Sequence, residues 1–425
     1  MNREDYKIHI IGAGISGLIA AKTLEKQGYR PIIVESTDRV GGRVKTDIVQ
    51  GYQLDHGFQV LLDAYPMAQK HLDLKALELQ EFLPGANIYK NRKSMTIGDP
   101  LRDVSLLWST LTSKVGSLSD KLKILKLNSE LKKKKLTEIF SSEETTTRAY
   151  LKEKGFSDQI IADFFNPFFA GIFLEPELRT SSRMFEFVYK MFGEGLATMP
   201  KKGIQAIPNQ LKAQLKHTKF LFNTKVSEVK DDHIILADSS KIDTHFTIIA
   251  TEASGLISNL KAETQWKSTD NLYFTCKKRH ISKPLIGLVS DKNSLINNIF
   301  FNNNLNQESL GQDELLSVTV VKSHDLSEEM LIAMVKSELS TYCNIQDTTF
   351  LKRYNISKAL PDLNQLQYDC SATETQIKAT IFLAGDQLLN ASLNAAMISG
   401  ERAAEGLILN LEDGLRIDEL TSEYR

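Results

Sequence analysis

An α/β fold, with a parallel-sheet domain assembled from discontinuous segments beside a second, mixed α+β domain, is what three stretches of this sequence predict. A strand, glycine-rich turn, helix and second strand open the chain, alternating apolar stretches follow residue 225, and a short apolar run ending in Gly385-Asp386 lies near the carboxyl end. In the opening stretch, residues 6–11 form an apolar run bounded upstream by charge, as a buried parallel strand would. Gly12 permits a tight strand-to-helix turn, Gly14 close approach of a ligand to the backbone, and Gly17 close packing of helix on strand. Leu18, Ala21 and Leu24 share one helical face, and Gly28 is placed to end the helix in a left-handed cap. Ile32, Ile33 and Val34 form the second strand, which runs into Glu35.

This pattern has the context a dinucleotide-binding fingerprint requires, so the domain reads as Rossmann-like. The helix-start N–H groups, near Ile15 and Ser16, form an anion site for a pyrophosphate without any basic side chain. Glu35, with Ser36 beside it, stands about 20 residues beyond the glycines, where a carboxylate accepts both hydroxyls of an adenosine ribose and disfavours a 2′-phosphate. A second glycine cluster, Asp38-Arg39-Val40-Gly41-Gly42-Arg43, follows at once. It brings a flexible turn and two guanidinium groups within reach of the same pyrophosphate, and Arg43 can supply a bidentate fork. An NAD fold does not need this segment and FAD does, although a solvated turn is the plainer reading of the cluster alone.

Four segments then carry a resemblance to the flavin-containing amine oxidase superfamily, which includes phytoene desaturases, carotenoid isomerases and protoporphyrinogen oxidases. They are the fingerprint through GGRVKT, then GYQLDHGFQVLLDAYP, TMPKKGIQAIPNQL and FLAGDQLLNASLNAAMISGERAAE. The resemblance implies FAD, with residues around Asp55, His56, Gly57 and Phe58 beside the flavin ring and the backbone of Val226 against the adenine. Some relatives attach the flavin to a cysteine shortly before the terminal motif, and because Cys370 lies too far from it the FAD is expected to be non-covalent. The resemblance also implies that Asp386, after Gly385, meets the ribityl chain. A helix expected from about Ala395, preceded by Ser392 and Leu393, would point its N–H groups at the flavin pyrimidine edge, where reduction gathers negative charge. Ala395 stands where many relatives have glycine. Read from the residues alone, Val226 is simply a strand residue and His56 a structural histidine. A metal role for His56 is unsupported because no second histidine lies nearby. Relatives that oxidise amines place a lysine near flavin N5, for which Lys277 is the weak candidate here, as His56 is for acid–base work.

Composition agrees with a two-domain soluble enzyme. A chain of 425 residues exceeds the size at which a single core keeps growing. Charged residues make up 25% and hydrophobic residues 42%, and the net charge of −1 gives no reason to invoke nucleic acid. No run of 18 or more apolar residues and no apolar signal core are found, and Cys276, Cys343 and Cys370 are widely spaced and odd in number. A cytoplasmic protein with reduced thiols is expected, possible peripheral membrane contact aside. Residues 1–62, 198–265 and 352–425 are assigned to the FAD-binding domain, and 63–197 and 266–351 to the substrate domain. In the first insert, Leu122, Leu125, Leu127 and Leu131 alternate with lysines and end in Lys132 to Lys135. That pattern fits a membrane-surface helix, or the more ordinary solvated one. Eight phenylalanines from Phe164 to Phe192 read equally as core or as the wall of an apolar substrate cavity.

The expected activity is hydride transfer from a substrate C–H bond to flavin N5. The terminal motif, Leu389 to Leu393, offers no aromatic cage for an amine, which favours desaturation or isomerisation of a polyene, terpenoid or tetrapyrrole-like substrate, with O2 or a quinone as electron acceptor. Amine oxidation with O2 and a structural or interaction role for bound FAD are the alternatives.

Overall fold

The computed structural model describes residues 2–98, 115–258, 260, 263–308 and 311–413. Its organising element is a six-stranded sheet in the spatial order Lys219–Leu221, Ile32–Val34, Ile8–Ile11, Phe246–Ile249, Ile381–Leu383 and Gln376–Lys378. The first five strands are parallel and the last is antiparallel. Strand alternation explains how it is covered. Ile10, Ile33, Ile248 and Phe382 point to one face and pack with the helices Ile15–Lys26 and Leu393–Asp413. Their neighbours Ile11, Val34, Ile249 and Leu383 point to the other, against Val226, Val229 and Ile234 of a small antiparallel sheet. A parallel sheet buried on both faces needs strands that are apolar nearly throughout, and His9 and Thr247 are the buried polar exceptions in the two central ones.

The first helix ends as its sequence predicts. Gly28 has φ +85°, its N–H donates to Glu25 O (3.0 Å), and Tyr29 N–H donates to Leu24 O (3.1 Å), a Schellman closure. The two helices approach closely where Gly400 crosses Ser16, since a methyl at Gly400 would overlap the Ser16 carbonyl oxygen.

The second domain is built on a seven-stranded sheet in the order Thr349–Pro361, Trp266–Cys276, Glu314–Val320, Ile296–Phe301, Ile286–Val289, Gly85–Lys90 and Lys93–Gly98. It is antiparallel except where Ile286–Val289 meets Gly85–Lys90. The helix Glu328–Cys343 covers one face through Leu331, Val335 and Leu339. Thr349–Pro361 pairs along Trp266–Cys276 from Thr275↔Thr349 to Trp266↔Pro361, so the boundary expected at residue 352 cuts a substrate-domain strand and belongs after Pro361. The helical insert comprises Leu118–Lys133, Leu136–Ser141, Thr147–Glu153, Asn166–Phe173 and Ser182–Glu194, with a π-helical turn at Ile161–Phe165. Residues 101–114 of the expected insert and the tail from 414 lie outside the described residues.

Gly400→Ala is expected to force these two helices apart and to destabilise the fold by about 1–3 kcal/mol, the usual cost of overpacking. A urea unfolding midpoint equal to that of the parent would contradict this.

Candidate active site

Between the two domains lies a cavity of about 1900 Å³. Its polar end is made by the residues just past the carboxyl ends of the parallel strands: Gly12 after Ile11, Glu35 after Val34, Ala250 after Ile249, and Gly385-Asp386 after Leu383. That is where ligands bind in open α/β sheets.

The glycines there divide by role. Gly12 has φ +105°, and a methyl on it would lie 2.9 Å from Ala250 O. A methyl on Gly17 would overlap the Gly12 carbonyl oxygen, so Gly17 serves packing and is not part of the cavity wall. At Gly14, by contrast, an added methyl meets no protein atom within 4 Å. The fold therefore does not require glycine at this position, and a group held against the backbone there would. No side chain caps the helix that begins at Ile15, which leaves its N-terminal end to an anion. Gly41 and Gly42, at φ +128° and +60°, bring the second glycine turn against this one, with Gly41 N–H donating to Ala13 O (2.9 Å).

Glu35 is buried in the wall. Its carboxylate accepts from Ala13 N–H (2.8 Å) and from the N–H and hydroxyl of Thr37 (2.9 and 2.8 Å), with Ser36 Oγ at 3.3 Å. Arg43 forms an ion pair with buried Asp386, donates to Ala359 O (3.2 Å) and lies 5.3 Å from the centre of the Trp266 ring. Arg39 does not join it. Its guanidinium is held by Asp47, away from the cavity wall, which corrects the expectation of two arginines at the pyrophosphate.

Asp47 also accepts from Tyr354 OH (2.9 Å) and bonds His56 Nε2 (2.8 Å), while the His56 and Tyr354 rings lie 4.4 Å apart. Burial acts to raise the Asp47 pKa, but the bonds from Arg39, His56 and Tyr354 outweigh it and hold the carboxyl at about 2. Asp55, next to His56, is the opposite case. It is buried and pushed up to about 6, although Thr46 Oγ (2.5 Å) and Ile204 N–H (3.1 Å) donate to it. Asp55 thus anchors the segment without lining the cavity, whereas His56, Gly57 (φ +91°) and Phe58 do line it.

Ile15, Ser16, Ser36, Val226, Ser392 and Leu393 also fall on the wall. The last helix begins at Leu393, two residues before the expected start, because Ser392 caps it: Ser392 Oγ accepts from Ala395 N–H (3.0 Å). Ala395 is fully buried and off the wall, which passes to Ala396. Its methyl therefore does not reach the cavity, and its N–H is already bonded. Lys277 is likewise displaced. It is exposed and paired with Asp313 (2.8 Å), and the lysine that reaches the cavity, from the strand that ends just before Lys277, is Lys267. Lys267 and the wall residues Thr251, Glu252 and Trp266 were missed by sequence reading. The position of Thr251 and Glu252, just past a parallel strand, was the available signal.

The far end of the cavity is apolar. Phe164, Phe168 and Phe192 line it, with ring centres 5.4–5.5 Å apart, together with Ile172, Met184 and Tyr189. None of the three cysteines is on the wall, and among the described residues no cluster of three His, Cys, Asp or Glu could hold a metal.

Comparison with known proteins follows this geometry. Residues 15–408 match the family described as flavin containing amine oxidoreductase. Protoporphyrinogen oxidase 2 of Arabidopsis thaliana is 29% identical over 169 residues, 39% of this chain and 32% of that protein. The 4,4′-diapolycopen-4-al dehydrogenase of Metabacillus indicus is 46% identical over 56 residues, 13% of this chain and 11% of that protein. L-amino acid oxidase Lm29 of Lachesis muta is 23% identical over 299 residues, 64% of this chain and 58% of that protein. The matched stretches thus span less than two thirds of each relative. Among solved structures, putrescine oxidase bound to putrescine (TM-score 0.69, 15% identity, covering 95% of this chain and 99% of that one) shares the fold. So does the CLA-producing fatty acid isomerase of P. acnes (TM-score 0.69, 16% identity, 94% and 98%).

Two outcomes are expected. Gly14→Ala retains the parent's urea midpoint but loses FAD affinity by tenfold or more in a fluorescence titration (roughly 1.4 kcal/mol or more), while Gly17→Ala lowers the midpoint itself. Asp55 binds its proton more tightly folded than unfolded, so its contribution to stability is full near pH 4 and is lost as pH rises through about 6. His9, held at about 4 chiefly by burial, works in the opposite direction over the same range. The comparison is therefore between Asp55→Asn and the parent: the variant's relative stability should grow by about 2 kcal/mol between pH 4 and 7. A difference that stays flat across that range would refute the assignment.

Proposed function

The chain belongs to the flavin containing amine oxidoreductase family and is an FAD-dependent oxidoreductase, and from that premise we propose that it desaturates or isomerises a largely apolar substrate, a polyene, terpenoid or tetrapyrrole-like compound. One observation carries the reading. The cavity's acidic residues are Glu35, Glu252, Glu263 and Asp386, all from cofactor-domain segments, and none among the described residues comes from the aromatic half. An ammonium substrate would meet no carboxylate there, and the lysine on the wall, Lys267, is already paired with Asp362 (3.2 Å). The names of the Arabidopsis and Metabacillus relatives, a protoporphyrinogen oxidase and a 4,4′-diapolycopen-4-al dehydrogenase, agree with this choice. That of the Lachesis relative favours amine oxidation.

The residues present suit FAD. The helix start at Ile15 and the paired glycine turns would hold the diphosphate, Glu35 the adenosine ribose, and Arg43 with Asp386 the stretch toward the ring. Bound there, FAD accepts two electrons and hydrogen from a substrate C–H bond. The chain's own contribution is position and exclusion of water. Phe164, Phe168 and Phe192 present flat apolar surfaces on which an extended substrate can lie in one orientation.

The test is anaerobic mixing of the purified holoenzyme with polyenes, a porphyrinogen and diamines while the flavin absorbance is followed. Polyene or porphyrinogen should bleach it and diamines should not, and admitting air or a quinone should then identify the acceptor. Bleaching by diamines alone would replace this reading with amine oxidation. Isomerisation, being redox-neutral, is followed by chromatography of the polyene instead, and the absence of both bleaching and an isomerised product would favour a structural role for the cofactor.

A further inference from the structure

Five large hydrophobic side chains are prominently exposed among the described residues, and two of them, Leu118 and Leu122, lie one turn apart on the helix Leu118–Lys133. They are 69% and 60% exposed, yet both also form part of the cavity wall. The apolar lining of the cavity is thus continuous with the outer surface at this pair. Exposed leucines cost solvation unless something covers them, and an opening edged by them suits a greasy surrounding better than water.

The charge around them names the surrounding. Residues 117–138 carry seven lysines against three acids, Asp120, Glu130 and Glu138. Asp120 is buried and bonded to Ser117 and Ser157. At helical spacing, Lys126 and Lys133 continue the exposed face of Leu118 and Leu122, and Lys132 and Lys135 are exposed beside it. Some of this charge is answered within the chain: Lys126 faces Glu130 at 3.8 Å and Lys134 pairs with Glu186 at 2.5 Å. The excess remains positive. Among the described residues no helix is long and apolar enough to cross a membrane, so contact of this kind is superficial.

We infer that this face docks on an anionic lipid bilayer, with Leu118 and Leu122 entering the acyl boundary and the lysines resting among acidic headgroups, so that the cavity opens toward the lipid. Apolar insertion and attraction to acidic lipid act together in surface helices of this composition. That the substrate enters from the membrane rests on the apolar-substrate reading; the docking itself does not.

The experiment is co-sedimentation of the holoenzyme with vesicles of phosphatidylcholine, with and without phosphatidylglycerol. Binding is expected to be stronger to the anionic vesicles and to fall with added salt. The double change Leu118→Ser and Leu122→Ser should lower the partition coefficient at least about tenfold, a conservative figure for two buried leucine side chains. Retention of the flavin spectrum would show that this variant is folded. Lys126→Glu with Lys133→Glu, both off the cavity wall, should weaken binding to anionic vesicles only and decides the matter if the leucine variant loses its flavin. No sedimentation with any vesicle, or binding indifferent to both pairs, would overturn the inference. So would a parent dimer that the leucine pair disperses in the absence of lipid, since a second copy would then be the occupant. Vesicle binding needs no substrate, so a negative result here is distinct from failure of the flavin-bleaching test.

Discussion

Three contacts without room for a methyl group hold the cofactor domain together. Gly12 lies against the Ala250 carbonyl, Gly17 against the Gly12 carbonyl, and Gly400 against the Ser16 carbonyl. The first and third join residues that are hundreds of positions apart, linking the fingerprint to the strand Phe246–Ile249 and to the last helix, and the second closes the fingerprint turn itself. Because the domain is discontinuous, no local segment could bring these pieces into register, and close backbone approach does so at the point where the cofactor's charge must be met. Packed interiors tolerate little added volume, so this arrangement is rigid where it is tightest. Gly14, in the same turn, is the exception that has open space before it.

The substrate domain is tied to that rigid part at several places. Arg43 is one, reaching Asp386 and Ala359 while lying against Trp266 at the first residue of a substrate-domain strand. Tyr273 is another, its hydroxyl donating to the carbonyl of Asp55 (2.9 Å). The cavity between the domains inherits a division of labour from its two sources. Cofactor-domain loops bring carboxylates, a guanidinium and helix-start N–H groups; the helical insert brings aromatic rings. A polar cofactor and an apolar substrate can therefore meet end to end with little buried charge left unpaired, which burial would otherwise penalise.

Much of the cofactor domain was legible because its signals are local or conformational. The tight turn at Gly12, the cap at Gly28 and the largely apolar strands Ile8–Ile11 and Ile32–Val34 can be read from local residue type. What was not legible depended on partners distant in sequence. Arg39 and Arg43 are equivalent as residue types, and only the folded position of Asp47 separates them. Lys267 lies on, and Lys277 just past, one long strand whose pairing with Thr349–Pro361 is itself irregular, with register shifts at Lys267/Thr269 and Tyr273/Phe274. The phenylalanine run, which read equally as core or wall, is both. Phe165 and Phe169 share one helical face and are fully buried, while Phe164 and Phe168, one position earlier, face the cavity. Helical spacing contains that split, but not which side is which.

His56 illustrates how far a local cluster can constrain a residue beside the cavity. Asp47 is held ionised by three bonds, so its oxygens accept and cannot donate. The bond to His56 Nε2 must then use a hydrogen on that nitrogen. Tyr354 reinforces this twice, by donating to the same Asp47 oxygen and by lying against the imidazole. Its own hydroxyl is pushed up, first by burial and then by its bond to Asp47, and so remains a donor. The imidazole is thus set in one orientation, with a hydrogen on Nε2, before any ligand arrives, which is the preorganisation a group in contact with a flavin ring would need.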